Sequence, residues 1–446
     1  MTTNIHLLKS DSLHCVFNTD DFNLYNVNEY SYAILSDIIE NRNVKKTADL
    51  YNIDEKIISE MLSKIGYNES TNTDYNKTDD FHHRTIDRIT LHVANDCNLR
   101  CKYCYASGGG YGKTRGMMNM DTAKRFVDYC CENFKRVKHI VFFGGEPFLN
   151  QSVIEYICNR FKERFTGGEI DYLPRFGAIT NGTVYSKEIL SIIRNHFSFL
   201  TVSIDGPKEI NDMNRINVNG KGSFDRISHF LNEIANYSDL RIKIEATYTH
   251  QHMEHGYTRE GLREFFLKEF NLDADVVDEM SLDNSEVAVK DLENPFESPW
   301  FSSILKTVTS KRHETKCQIL RSTFAVSIEG DIYPCHMNVG DGMQPVTSIW
   351  QPIMDFCDVI NHDATYKLKD NSVCNVCWAK NICGGCARTS FYNAEMHKYS
   401  NTPNKSRCDY FREIVGKSLL KICEVRKNPE LWNTLLAHAN KSSTDN

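Results

Sequence analysis

Apolar and polar positions follow three regimes along this chain, and each predicts a different kind of unit. Over residues 1–65, strand-like runs at 6–9 and 13–18 flank the turn Ser10-Asp11-Ser12 and predict a hairpin, with a third short strand at 23–27. The spacing then turns helical: Tyr32, Ile34, Leu35, Ile38 and Ile39 share one face of a helix over 31–40. Two more helices are predicted at 45–51 and 55–65, the last with Ile57, Ile58, Met61, Leu62 and Ile65 inward. This unit reads as a small separate domain. Residues 66–85 are polar and unpatterned and read as a linker. As a random coil it would span on the order of 20 Å, enough to let the first domain present a ligand to the second.

From 86 to 312 strands alternate with amphipathic helices. Strands are predicted at 88–94, 138–143, 175–180, 199–204 and 241–248, and helices at 120–136, 150–164, 186–195, 223–236 and 258–269. A sixth unit near 273–312 is fainter. Such alternation means parallel βαβ units. Six of them predict an α/β architecture, a partial (β/α)6 TIM barrel open on one side, with its chemistry on the loops after the strands. Over 313–410 the helical periodicity fades and cysteines take its place. Residues 411–446 read as C-terminal helices with a frayed end.

The length of 446 residues exceeds one ordinary core, so two or three domains are expected. A net charge of −7 leaves no general footprint for nucleic acid. No apolar stretch approaches the roughly 18 residues that span a bilayer, and the start has no basic segment followed by an apolar run. A cytoplasmic protein is expected, with no nucleic acid and no membrane as partner. Sixteen cysteines change the picture more. Most gather at 97–104 and 317–408, which reads as metal ligation in a reducing compartment, with an anaerobic host expected. Cys15, Cys130, Cys131, Cys158 and Cys423 fall inside strand or helix patterns and read as packing. Cys357 does too.

The densest chemistry is Cys97-Asn98-Leu99-Arg100-Cys101-Lys102-Tyr103-Cys104, directly after the first strand of the alternating region. Cys97, Cys101 and Cys104 can aim three soft thiolates at one centre, which suits an iron–sulfur cluster. A cubane has four irons, so three ligands leave one iron open to bind and reduce a ligand. Zinc would need a fourth ligand, and no neighbour offers an obvious one; plain burial is the other reading. After the second strand, Gly144-Gly145-Glu146-Pro147 allows close backbone approach, and Glu146 can hold an ammonium. A glycine turn alone would also explain it. Ser203-Ile204-Asp205-Gly206-Pro207 ends the fourth strand with polar groups, and Arg215 follows, a surface arginine on the plainer reading. Asn181-Gly182, after the third strand, is explained by a turn.

The cysteine spacing, with Tyr103 before the last thiol, resembles the signature of the radical S-adenosylmethionine (SAM) enzymes. In that family the open iron chelates the amino and carboxylate groups of SAM, and reduction releases a 5′-deoxyadenosyl radical. The resemblance implies that Gly144, Gly145 and Glu146 meet the amino group, that Ser203 lies by the ribose, and that Arg215 lies near the carboxylate. It places Tyr103 near the adenine. Further on, Cys317, Gly330 and Cys335, then Cys374, Cys377, Cys383 and Cys386, then Cys408, resemble the SPASM extension of these enzymes, with C-x2-C where C-x3-C is usual. A hairpin over 324–334 would bring Cys335 back beside Cys317.

By that analogy Cys374, Cys377, Cys383 and Cys408 hold a second auxiliary cluster. Cys317, Cys335 and Cys386 hold a first one with an open iron, Thr323 standing where some relatives have another Cys. Two zinc sites remain the other reading of this region. The N-terminal unit resembles a winged-helix peptide-recognition element, which binds a leader peptide as an added strand. A DNA-binding winged helix or a capping domain are the alternatives, and no basic recognition helix is evident.

Together these imply three [4Fe–4S] clusters, SAM, a cysteine-containing precursor peptide with a leader, and a reducing electron donor of flavodoxin or ferredoxin type. The implied activity is thioether formation, as in sactipeptide or ranthipeptide (SCIFF-type) maturases. Formylglycine formation of the anaerobic sulfatase-maturating type, or carbon–carbon crosslinking, are the enzymatic alternatives. A non-enzymatic iron–sulfur or zinc scaffold is the other class, and it gives no reason for the 144–147 turn.

Overall fold

The computed structural model describes residues 2–70, 84–278, 299–311, 319–320, 322–340, 342–353, 372–383, 386–393, 395–396, 398–400 and 402–441. Cys317, Cys357 and most of the expected linker lie outside these residues, as does 279–298 within the faint sixth unit.

The N-terminal unit is a three-stranded antiparallel sheet, β1 (Ile5–Ser10), β2 (Leu13–Asn18) and β3 (Leu24–Val27), followed by α1 (Glu29–Asn41), α2 (Val44–Tyr51) and α3 (Glu55–Lys64). Each helix starts where a side chain accepts from its first turn: Asn28 from Ser31 N, Asn43 from Lys46 N and Asp54 from Lys56 N. One set of sheet residues, Ile5 and Val16, packs on Leu35 and Ile65. Another, Leu8, Leu13, Cys15 and Phe17, packs with Phe22 against Phe301, Ile304 and Leu305 of helix Pro299–Ser310 and against Ile414, Val415 and Leu419 of helix Lys405–Val425. The unit is therefore docked on the rest of the chain.

The expected linker also begins later than its composition suggests. Asn4 Nδ2 donates to Gly66 O (2.8 Å), Asn68 N donates to Asn4 Oδ1 (2.7 Å), and Asn18 Nδ2 donates to Ile65 O (2.9 Å). Thr2–Thr3 then pairs with Glu69–Ser70. These bonds run through buried asparagines, which a hydrophobic pattern does not register.

The large sheet contains six parallel strands in chain order, β4 (Thr85–Ala94), β5 (Arg136–Gly144), β6 (Arg175–Thr180), β7 (Phe197–Ser203), β8 (Arg241–Tyr248) and β9 (Ala274–Asp278). Their crossovers include α4 (Met120–Asn133), α5 (Gln151–Thr166), α6 (Lys187–His196), α7 (Lys208–Asn214), α8 (Phe224–Ile234) and α9 (Arg259–Phe270). Alternate residues Ile89, Leu91 and Val93 of β4 and Ile140 and Phe142 of β5 share one core with Phe126, Val127, Ile154, Ile157 and Phe161 of the helices. Each such side chain contributes about 2 kcal/mol on burial.

The sheet continues on the other side of β4. There β10 (Thr323–Val326) runs parallel to β4 and forms a hairpin with β11 (Asp331–Tyr333), which pairs with β12 (Thr347–Ser348). The expected 324–334 hairpin thus extends the large sheet, and Cys335 follows its second strand. Among the described residues no helix is long and apolar enough to cross a membrane.

Candidate active site

The cysteine loop leaves the C-terminal end of β4 and is gripped on two sides. On one side Gly145 N donates to Ala94 O and Glu146 N to Asp96 O, both at 2.9 Å. On the other, Arg100 N donates to Ile216 O (2.7 Å), Lys102 N to Asn214 O (3.1 Å) and Val218 N to Asn98 O (3.2 Å). A Cβ on Gly144 would stand 2.1 Å from Ala94 O, and one on Gly145 2.2 Å from Asp96 O. The two glycines are thus required by the close approach of two backbones, whatever they later offer a ligand.

Cys97, Cys101 and Cys104 are half-buried. Leu99 N lies 3.4 Å and Asn181 Nδ2 3.6 Å from Cys97 Sγ, and Gly108 N lies 3.4 Å from Cys104 Sγ. Burial, with Glu146 nearby, pushes the Cys97 thiol up to about 12 and raises Cys101 as well. Left alone, these two thiols stay protonated at neutral pH; a bound metal would remove the protons, and N–H donors would support the thiolates. Three soft thiols on one short loop, with N–H groups beside Cys97 and Cys104, are a donor set that fits an iron–sulfur cluster.

Glu146 is fully buried. Its Oε1 accepts from Thr180 Oγ1 (2.8 Å) and Phe148 N (3.1 Å), and its Oε2 from Asn181 N (2.8 Å). Two lone pairs per oxygen leave one acceptor position on Oε2 for an ammonium. Asn181, a turn residue by sequence, is a hub: Nδ2 donates to Asn98 Oδ1 (2.9 Å), while Oδ1 accepts from Thr183 N (2.9 Å).

Tyr103 and Arg215 come together on a residue to which the sequence assigned no role. The Tyr103 hydroxyl donates to the Asp205 carboxylate (2.8 Å to Oδ2) and accepts from Arg215 Nη1 at 2.6 Å. Asp205 and Arg215 are both buried. Ser203, at the end of β7, sits opposite Glu245 of β8, a mostly buried carboxylate that burial and Asp275 push upward. A polar residue just past the end of a buried strand was the available signal for Asp205; Glu245 lies inside β8.

In the cysteine-rich region Cys374, Cys377, Cys383 and Cys408 line one cavity together with Lys380, Arg407 and Arg412. Arg412 Nη1 lies 3.8 Å from Cys377 Sγ. Burial raises the Cys408 thiol against the pull of Arg412, and the other three thiols raise it further. Four soft donors beside cationic groups fit a second cluster, because the cations offset its thiolate charge. Cys386, at the N-terminus of helix Ala387–Phe391, does not line this cavity, and Cys335 lies elsewhere, beside His336 Nδ1 at 3.6 Å.

Sequence reasoning also missed a run of rings between the two cysteine regions. Tyr105, next to Cys104, meets Tyr111 (centroids 6.0 Å apart), which meets His92 (5.0 Å). His92 meets Phe143 (5.2 Å), and Phe143 meets His336 (5.0 Å), the neighbour of Cys335. Residues far apart in sequence supply it, so no local motif announces it.

Residues 91–251 match the family model described as the Radical SAM superfamily. An uncharacterized protein of Methanocaldococcus jannaschii is 37% identical over 135 residues, which are 30% of this chain and only 44% of that relative. A cysteine-type anaerobic sulfatase-maturating enzyme of Clostridium novyi is 23% identical over 376 residues, 77% of this chain and 98% of its own. Native anSMEcpe with bound AdoMet and Cp18Cys peptide shares the fold, with a TM-score of 0.59 at 19% identity over 79% of this chain and 99% of its own. The chain carries a radical SAM domain, homologous to that of anaerobic sulfatase-maturating enzymes.

Proposed function

We propose that this protein is a peptide maturase that abstracts hydrogen from a ribosomally made precursor and installs thioether crosslinks from Cys sulfur to carbon. The observation that carries the reading is the position of Cys335. It follows a hairpin that extends the large sheet, and the ring run links its neighbour His336 to Tyr105 beside Cys104, which favours a second thiol centre on the side of the first. The docked N-terminal unit supports a leader-bearing substrate. The matched anSMEcpe structure holds a peptide, which favours the same substrate class here.

Cys97, Cys101 and Cys104 would hold the SAM-binding [4Fe–4S] cluster, which supplies a carbon-centred radical able to take a hydrogen atom. Glu146 offers its remaining acceptor to the SAM ammonium and Arg215 its guanidinium to the carboxylate, with Ser203 near the ribose and Tyr103 near the adenine. Cys374, Cys377, Cys383 and Cys408 would hold one auxiliary cluster, and Cys317, Cys335 and Cys386 another with a position free for a substrate thiolate. The leader's binding energy holds the reacting carbon in place. A flavodoxin- or ferredoxin-type donor supplies the starting electron.

The test uses anaerobically reconstituted protein with dithionite, SAM and the precursor encoded beside its gene. Loss of two hydrogens per crosslink, with the matching cysteines no longer alkylated and no reducible disulfide, supports thioether formation. If two hydrogens are lost while the cysteines still alkylate, the bond is not to sulfur and carbon–carbon crosslinking takes its place. A Cys-derived aldehyde would point to formylglycine formation instead.

A further inference from the structure

Asp205 is fixed from behind before its carboxylate makes any bond. Its N–H donates to Asn211 Oδ1 (3.2 Å), and its carbonyl lies 2.8 Å from His252 Nε2. Thr249 N donates to His252 Nδ1 (3.0 Å), so the ring hydrogen sits on Nε2 and points at the Asp205 carbonyl. Asn211, His252 and Thr249 have no exposed surface. The carboxylate then accepts from Thr247 N (3.2 Å) and from the Tyr103 hydroxyl (2.8 Å), with Arg215 Nη1 at 3.7 Å.

A carboxylate and a guanidinium this deeply buried each lose their hydration, and a partner removed from such a pair leaves an uncompensated charge. The cysteine loop does not need the pair for its own fold, because backbone bonds from 214–218 already hold residues 98–102. Arg215 Nε is buried without a partner, so this guanidinium has donor capacity left over. The pair faces the loop through Tyr103, between Cys101 and Cys104.

We propose that Asp205 is a positioning residue for SAM: it orients Arg215 and Tyr103 so that spare guanidinium donors face the open side of the cysteine loop. The proposal rests on the reading of that loop as the SAM site. Asp205 acts on SAM affinity, and cluster assembly is left to the loop's backbone bonds.

The experiment compares full-length reconstituted wild type, Asp205→Asn and Tyr103→Phe. It reads iron per chain, the low-temperature EPR spectrum of the reduced protein with and without SAM, and equilibrium SAM binding. Asp205→Asn is expected to keep wild-type iron and the SAM-free spectrum while binding SAM about tenfold more weakly, the scale of one charge-assisted hydrogen bond. Tyr103→Phe keeps the ring, removes the bridging hydroxyl and shifts affinity the same way by less. Unchanged SAM affinity in both variants overturns the proposal. So does iron loss in proportion to lost SAM binding, which would make the network purely structural. A wild-type spectrum that does not respond to SAM would instead sink the reading of the loop.

Discussion

His6 and Trp378 lie face to face, with ring centroids 3.8 Å apart and planes 7° from parallel. His6 belongs to the first strand of the N-terminal sheet, and Trp378 follows Cys377, a wall of the four-thiol cavity. Asn381 Nδ2 donates to Thr19 O (3.0 Å) beside them, and Phe17, Phe22, Ala379 and Ile382 share one core. The N-terminal unit is therefore seated against the cysteine-rich region, and a swinging tether is not how it meets the barrel. A leader peptide bound to this unit would be felt at the loop that carries Cys374, Cys377 and Cys383.

That seat is predicted to weaken in acid. Burial pushes His6 down to about 4 from its ordinary 6.5, so the folded protein excludes a proton that the unfolded chain accepts. The stabilisation is complete above 6.5 and falls away as pH drops toward 4. The thermal midpoint of the metal-free chain should decline between pH 7 and 5, and His6→Phe, which keeps a ring without a titrating nitrogen, should decline less. Equal slopes would mean that His6 is not the group responsible.

The two thiol regions should load independently. Changing Cys97, Cys101 and Cys104 together to Ala is predicted to remove about four irons per chain and to leave the remainder. Cys408→Ala should cost a comparable share while preserving the response of the reduced spectrum to SAM. Cys386→Ala should spare the iron that Cys374, Cys377, Cys383 and Cys408 would hold, because Cys386 does not line their cavity. Iron analysis and EPR on the three proteins check this; one common collapse of all iron would contradict separate centres.

Glu146 links the cysteine loop to the end of β6, so its chemistry can be tested without iron. Glu146→Gln turns one acceptor oxygen into an amide donor, which then faces either Asn181 N–H or the pair from Thr180 and Phe148. One buried donor is left unmet, at about 1–3 kcal/mol. Burial lifts the Glu146 carboxyl to about 7, so the wild type loses stability as pH rises from the ordinary carboxylate range through 7, and the Gln variant lacks that slope. Denaturant midpoints at pH 6 and 8 give both quantities. A variant that loses as much stability as wild type between pH 6 and 8 would mean that Glu146 is not the titrating group.

Strands β4 to β8 were legible because each is a short apolar run in a repeating unit, and the cysteine loop because its signal is local. The continuation of the sheet from β4 to β10 was not, since parallel pairing between distant segments leaves no mark in either sequence. Asp205 and Asn181 were visible only as polar ends of strands; their partners Arg215, His252 and Asn98 come from other segments of the sequence. His6 and Trp378 read as ordinary residues because their contact exists only once two units dock.

Gly145 offers the sharpest test of the packed turn. An added methyl there would meet backbone, Asp96 O at 2.2 Å and the Gly109 Cα at 2.8 Å, and no flexible side chain can give way. Gly145→Ala must therefore move the start of the cysteine loop and is predicted to lower iron per chain along with the thermal midpoint. Gly168 is the control: its φ of +73° makes Ala strained there, but nothing lies within 4 Å. Gly168→Ala should cost about 1–2 kcal/mol of stability and leave iron untouched. Wild-type iron in Gly145→Ala would show that the loop closes on its cluster without the backbone contact between the ends of β4 and β5, and the two-sided grip would then be a feature of folding alone.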